Sequence, residues 1–128
     1  MTTKRPPTDS ELMILAVLWE RGASTVREVQ RELPNQRKIG YTTVLKLLQI
    51  MHEKDLVQRD ESRRAHVYSA LATRDITQRD LVQNLLAKGF GGSSHDLVLR
   101  VLESKPCTAE ELNSIRKLLE TFDKGEIE

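Results

Sequence analysis

Tyr41-Thr42-Thr43-Val44-Leu45-Lys46-Leu47-Leu48-Gln49-Ile50-Met51-His52-Glu53-Lys54 carries two distinct faces at helical spacing. Val44, Leu47, Leu48 and Met51 recur at i, i+3, i+4 and i+7, a stripe meant for burial. Thr42, Lys46, Gln49 and Glu53 recur on the opposite side, and each can hydrogen-bond to something outside the chain. A helix is therefore expected from about Tyr41 to Lys54, with one face for a core and one for a partner. Ahead of it, Asn35 to Gly40 is polar and twice basic, which reads as a loop. Behind it come Leu56-Val57-Gln58-Arg59, the polar stretch Asp60 to Arg64, and the period-two run Ala65-His66-Val67-Tyr68-Ser69-Ala70. Two short β-strands around a charged tip fit that segment.

Toward the N-terminus, Thr8-Asp9-Ser10-Glu11 places Thr three residues before Glu and just before an apolar run. This is the pattern of a capping box opening a helix. Leu12, Leu15, Ala16 and Trp19 follow at helical spacing, and Gly22 closes the helix. Met13, Ile14, Val17 and Leu18 make it apolar nearly all round, so it must be covered on more than one side. A second box, Thr25-Val26-Arg27-Glu28, starts a short helix with Val26, Val29 and Leu33 on one face. Pro34 stops it, because proline lacks the N–H donor and clashes with the preceding turn.

Toward the C-terminus the pattern is helical again. Ile76, Leu81, Val82, Leu85, Leu86 and Phe90 give one amphipathic helix, ended by Gly89 and Gly91-Gly92. Leu97, Val98, Val101 and Leu102 give another. Thr108-Ala109-Glu110-Glu111 reads as a third capping box, and beyond it Leu112, Ile115, Leu119 and Phe122 step like a helix–helix seam. The expected class is mainly α with a small β-wing. A break near Ala72 divides residues 1–72 from residues 73–128.

Charge sharpens that division. The 128 residues hold 20 Lys+Arg and 19 Asp+Glu, a net charge of +1, which speaks weakly against a nucleic-acid partner. Residues 1–72, however, contain 12 Lys+Arg against 9 Asp+Glu, a net +3, and residues 73–128 contain 8 against 10, a net −2. The basic part is the part with the two-faced helix. Helix, short helix, longer helix and two-stranded ribbon is the order of a winged helix-turn-helix, whose third helix enters the major groove. Thr42, Thr43, Lys46 and Gln49 suit base edges, Gln49 for adenine and Lys46 for guanine or phosphate. Arg37 and Lys38 before the helix, Thr25 at the second helix and Arg63 and Arg64 at the ribbon tip suit the phosphate backbone, and Tyr41 at the start of the helix joins the DNA-binding set.

The run Gly40-Tyr41-Thr42-Thr43-Val44-Leu45, with Met51-His52-Glu53-Lys54-Asp55-Leu56-Val57 and Arg64-Ala65-His66-Val67-Tyr68, resembles the recognition helix and wing of penicillinase-type repressors. Thr8-Asp9-Ser10-Glu11-Leu12 through Leu18-Trp19, and the Phe90-Gly91-Gly92 turn, carry the same resemblance to this BlaI/MecI family of bacterial transcriptional regulators. It extends from about Thr8 to Phe122. The resemblance implies a homodimer with interlocked C-terminal helices, two winged helices on a palindromic operator, and control of β-lactamase (antibiotic-resistance) or cell-envelope genes. Three departures stand out. Better-known members are induced when a membrane sensor protease cleaves an asparagine–phenylalanine bond, and the matching positions here are Arg100 and Val101. The copper-responsive branch carries a C-terminal paired-cysteine hook, whereas this chain ends Phe122-Asp123-Lys124-Gly125-Glu126-Ile127-Glu128. Ile50 stands where relatives often carry arginine.

Other chemistries find little purchase. The longest apolar run, Leu12 to Trp19, is well short of the roughly 20 residues that a membrane span needs. No secretory signal follows the Pro-containing start, Met1 to Pro7. One cysteine, Cys107, excludes an internal disulfide framework and points to the reducing cytoplasm. His52, His66 and His95 are scattered without ligand spacing, so no metal or other cofactor is expected; a hydrogen bond within the wing is the expectation for His66. Glu110 and Glu111 suit a helix first turn, and no phosphate loop or nucleophile elbow occurs, so an enzyme is not expected. Trp19 reads as core rather than pocket lining. The C-terminal rows Leu97, Val98, Val101, Leu102, Leu112, Ile115, Leu119 and Phe122 exceed what three helices cover alone, which calls for a second copy of the chain. The expected function is therefore repression by a homodimer on double-stranded DNA, without membrane insertion. The rival functions are a ligand- or metal-responsive winged-helix regulator and a winged-helix protein-interaction module.

Overall fold

Side-chain hydroxyls set where most of the helices begin. The computed structural model describes residues 6–125. Met1 to Arg5 and Glu126 to Glu128, parts of the segments read for a signal and for a cysteine hook, lie outside the described residues. Helix α1 (Asp9–Arg21) opens with Thr8 Oγ1 accepting the Glu11 N–H at 3.2 Å, while the Glu11 carboxylate accepts the Thr8 N–H at 2.9 Å. Helix α2 (Val26–Glu32) repeats the arrangement with Thr25 and Glu28, again at 3.2 and 2.9 Å. Each box satisfies donors that a helix start leaves without an internal partner. Helices α3 (Tyr41–Glu53), α4 (Arg74–Gly89), α5 (Ser94–Ser104) and α6 (Ala109–Asp123) follow. Thr108 caps α6 through the Glu111 N–H at 3.0 Å, but the reciprocal Glu111 bond is absent, so the third box is half formed.

The wing is larger than the sequence pattern suggests. Strands β1 (Ser24–Thr25), β2 (Val57–Asp60) and β3 (Val67–Ala70) form one antiparallel sheet in the order β1-β3-β2. Tyr68 faces Ser24 on one side and Arg59 on the other. A two-residue strand has no alternation to detect, and Thr25 hides it further: its backbone pairs with Val67 while its hydroxyl caps α2. The loop Asn35 to Gly40 likewise contains one turn of 3-10 helix at Asn35–Arg37.

The chain divides into two compact units, one ending at Asn84 and the other beginning at Leu85. In the first, Ile14, Leu15, Leu18, Val26, Val29, Leu33, Val44, Leu48, Met51, Leu56, Val57 and Tyr68 enclose one core. Leu47, expected in that stripe, is half-buried at its edge, as are Met13 and Trp19. Glu11 is enclosed as well, and both its oxygens meet Lys54 Nζ, at 2.8 and 3.0 Å. This ion pair ties the start of α1 to the end of α3; a paired carboxylate can be buried where an isolated one could not. Trp19 packs against the core and donates its Nε1–H to the Ala72 carbonyl at 2.8 Å. The α3 helix ends through Asp55, in the left-handed region at φ 62°, with the Leu56 N–H reaching back to the Met51 carbonyl at 2.9 Å. That turn sends the chain straight into β2.

The second unit is built differently. The α4 helix ends at Gly89, so Phe90 lies just past it, and Gly91 and Gly92, both at positive φ, turn the chain toward α5. No residue of α5 or α6 is buried. Val98, Val101, Leu102, Leu112, Leu118, Leu119 and Phe122 are exposed, Leu119 at 62%, while Leu97 and Ile115 are half-buried.

Candidate nucleic-acid interface

The packing of α3 decides which of its residues remain outside. Val44, Leu48 and Met51 are held in the core, which fixes the rotation of the helix about its axis. Thr42, Thr43, Lys46 and Gln49 consequently stand exposed on the opposite face, with Tyr41 at the first turn. These are four polar side chains at the spacing of one groove-facing surface, on a helix of 13 residues. Gly40 is the N-cap of α3 and supplies no side-chain acceptor. Glu53 is also exposed, at the far end.

The basic residues expected around this helix differ in how free they are. Lys38 donates to the Gln30 carbonyl at 3.0 Å and to the Arg31 carbonyl, capping the C-terminal end of α2. A cation there suits the negative end of the helix dipole, so the Lys38 ammonium has a structural role of its own. The Arg37 Nε–H lies against Met13 Sδ at 3.1 Å, with the side chain exposed. Thr25 keeps its hydroxyl oxygen on the Glu28 N–H, which leaves its O–H hydrogen for another acceptor. Arg63 and Arg64 are exposed in the turn between β2 and β3, without an ion pair among the described residues. Next to them, Asp60 receives the Ser62 N–H at 2.9 Å, and the Ser62 bonds hold its carboxyl below its ordinary value. Arg59 is held still more firmly protonated by the Tyr68 hydroxyl and by Glu61, whose Oε2 is 2.7 Å away. His66 precedes β3, exposed, and its imidazole makes no hydrogen bond among the described residues; the expected side-chain bond within the wing is not there.

Sequence patterning missed Arg27. Its guanidinium lies over the Tyr41 ring, 5.3 Å from the centroid, linking α2 to the start of α3. Helical periodicity within single elements cannot reveal a pairing between two of them. The Glu11–Lys54 pair was hidden for the same reason, since Glu11 already had a role in its capping box.

The remaining candidates lie elsewhere. Leu97, Val98, Val101 and Leu102 are on α5, and Leu112, Ile115, Leu119 and Phe122 on α6. Arg100 and Val101 are exposed within α5, and Arg100 Nη1 pairs with Glu103 Oε1 at 2.7 Å. Cys107 is half-buried, its Sγ 3.8 Å from the Lys105 carbonyl. Among the described residues no group of three or more His, Cys, Asp or Glu side chains comes together as a metal site, and no helix is long and apolar enough to cross a membrane.

Comparison with known proteins identifies the family and the fold. The penicillinase repressor family matches residues 7–121. The chain is similar to the transcriptional regulator BlaI of Mycobacterium tuberculosis, with 31% identity over 118 residues covering 91% of this chain and 85% of the relative. It is similar to the penicillinase repressor of Bacillus licheniformis, with 25% identity over 117 residues and 88% of each chain covered. In fold it is similar to the protein in the hsRosR–S4 complex structure, at a TM-score of 0.54 and 19% identity, with 96% of this chain and 95% of that one covered.

Proposed function

The chain belongs to the penicillinase repressor family of transcriptional regulators and is not an enzyme; from that premise we propose that it acts as a homodimer on an inverted-repeat operator. Residues 1–72 would read DNA and residues 73–128 would dimerise. Thr42, Thr43, Lys46 and Gln49 would face the bases. Thr25, Arg37, Tyr41, Arg63 and Arg64 would contact phosphates, and Lys38 would support them from the end of α2. The observation that carries this reading is the polar face of α3, left open by a helix whose other face is locked into the core.

Dimerisation is the counterpart proposal for α5 and α6. Their exposed Val98, Val101, Leu102, Leu119 and Phe122 call for a cover, and a second copy supplies an identical set of rows. Two recognition helices held about 34 Å apart, or a multiple of it, would read two half-sites, and twofold symmetry makes those half-sites an inverted repeat. Repression then works by occlusion of a promoter, in the cytoplasm where the DNA is. Genes of β-lactam resistance or cell-envelope stress are the expected targets, as for the relatives named penicillinase repressor. A membrane sensor protease would be the inducing partner. The bond between Arg100 and Val101 lies inside α5, so cutting there requires that helix to unwind first.

The reading is tested with Lys46→Ala and Arg64→Ala in a DNA-shift assay. Both should weaken operator binding with the fold retained, Lys46→Ala by roughly 1–3 kcal/mol if it contacts a base. Wild-type affinity should also fall about 10³-fold or more between 50 and 200 mM salt, given six or more phosphate contacts. Unchanged binding by both variants would remove α3 and the wing from the interface, and salt-independent binding would favour a protein partner.

A further inference from the structure

We propose that Arg27, propped on the Tyr41 ring, is a ligand for a DNA backbone phosphate and sets how the start of α3 meets the duplex. The proposal deepens the DNA-binding reading above and rests on it. Its basis is that the charge of Arg27 sits where the chain's own electrostatics disfavour it. It lies in the first turn of α2, where the backbone dipole presents its positive end and disfavours a cation. One turn further along stands Arg31, a like charge at i+4.

No carboxylate relieves this. Among the described residues Arg27 makes no ion pair. The adjacent Glu28 is already committed: one oxygen caps the Thr25 N–H at 2.9 Å and the other receives Arg21 at 2.9 Å. Several nearby cations, by contrast, have partners, although Arg31 makes no ion pair among the described residues either. Arg21 pairs with Glu28 and Glu32, Lys54 with Glu11, Arg59 with Glu61, and Lys38 with two carbonyls.

What holds Arg27 is an aromatic face. The Tyr41 ring lies 5.3 Å from the guanidinium carbon, and Tyr41 itself is 44% exposed. Stacking restrains the plane of the guanidinium while leaving its N–H fork unoccupied. A planar, restrained and unneutralised fork suits a phosphate, which accepts two parallel N–H bonds. The position is suitable too. Arg27 follows Thr25, which pairs with the wing strand through Val67, and its ring support is the first residue of α3. One side chain therefore links α2 to the start of α3, and a phosphate held there would orient α3 without contacting a base.

The test uses the full chain and two probes, an operator duplex selected by the wild type from a randomised pool and a duplex of random sequence. Wild-type binding to neither duplex would overturn the DNA reading itself, and this assignment with it. Given wild-type binding, Arg27→Ala should weaken both duplexes by a similar factor, about tenfold, the worth of one charge-assisted hydrogen bond. The slope of log affinity against log salt should become shallower by about one for each contact removed. Arg27→Lys should keep the slope but lose part of the affinity, because the charge stays and the fork does not. Tyr41→Leu should weaken binding more than Tyr41→Phe, which keeps the ring. The melting temperature of Arg27→Ala should change little, since the repulsion from Arg31 and the contact with the Tyr41 ring are lost together. An unchanged salt slope, an effect confined to the operator, a loss of binding explained by unfolding of Arg27→Ala, or equal effects of the two Tyr41 variants would each overturn the proposal.

Discussion

In the unit ending at Asn84, helices α1 to α3 close their apolar faces over one another and over Val57 and Tyr68 of the wing. In the unit beginning at Leu85, α5 and α6 carry apolar rows of comparable length and bury none of their residues. The difference is not one of local sequence quality. Both units use hydroxyl caps, and both space their apolar residues at helical period. It lies in the number of directions from which cover arrives. The first unit wraps a nearly all-apolar α1 from several sides, including a sheet, whereas α5 and α6 each leave a row uncovered. One unit closes a core of its own, and in the other α5 and α6 leave their apolar rows exposed, the faces that the proposed dimer would cover.

The strongest way to break that comparison is to charge the open row. Leu119→Asp should give monomers by analytical ultracentrifugation, with operator affinity lower by roughly 10² to 10⁴-fold as the link between half-sites is lost. The first unit should melt as before, because Leu119 takes no part in its core. A surviving dimer would move the seam away from α6. Inside the closed core the response should be purely local: Leu48→Ala should cost about 3 kcal/mol in chemical denaturation. That loss should not vary with protein concentration, whereas the cost of Leu102→Ala should, since dimerisation couples stability to concentration. Equal behaviour of the two variants would show the units to be one cooperative block.

This contrast explains which parts of the molecule could be read from residue order. Periodicity reports how one helix divides its faces, so Val44, Leu48 and Met51 against Thr42, Lys46 and Gln49 were legible, as were the boxes at Thr8 and Thr25. It does not report what lies opposite. The strand Ser24–Thr25 exists only because β3 offers an edge to it, and Leu47 is half-buried only because the core ends there. The Arg27–Tyr41 stack, the Glu11–Lys54 pair and the bonds of Lys38 to the end of α2 all join separate elements. Of the candidate interface, the exposed polar face was therefore visible in the sequence, while the division of the cations into occupied and free ones was not.

A smaller effect sharpens the picture at the exit of α3. Asp55 holds a left-handed conformation at φ 62°, which costs an L-residue more than it costs glycine. Asp55→Gly should therefore stabilise the first unit by about 0.5–1 kcal/mol in denaturation, with the Leu56 to Met51 turn retained. The second unit already has glycine at its corresponding corner, at Gly91 and Gly92, and there Gly91→Ala should destabilise. A loss of stability in Asp55→Gly would mean that the aspartate side chain itself supports the turn.

The smallest expected effect concerns acid, and it separates the two kinds of capping. At α2 the Glu28 carboxyl is held below its ordinary 4.5, first by the Thr25 N–H that it accepts and then by the Arg21 guanidinium. A carboxyl with a lowered folded pKa binds protons more readily in the unfolded chain. Its contribution is therefore fully present above pH 4.5 and is lost as pH falls through the lower folded value. Glu28 keeps 38% of its side chain exposed, so solvent screening keeps the contribution small. Glu28→Gln keeps an amide oxygen for the Thr25 N–H but no longer titrates. Melting of the first unit followed from pH 7 to pH 3 should then fall less steeply for Glu28→Gln than for the wild type, with the two curves converging at the acid end. Curves that stay parallel throughout would mean that the box works as a neutral hydrogen bond, no different in kind from the half-formed cap of α6.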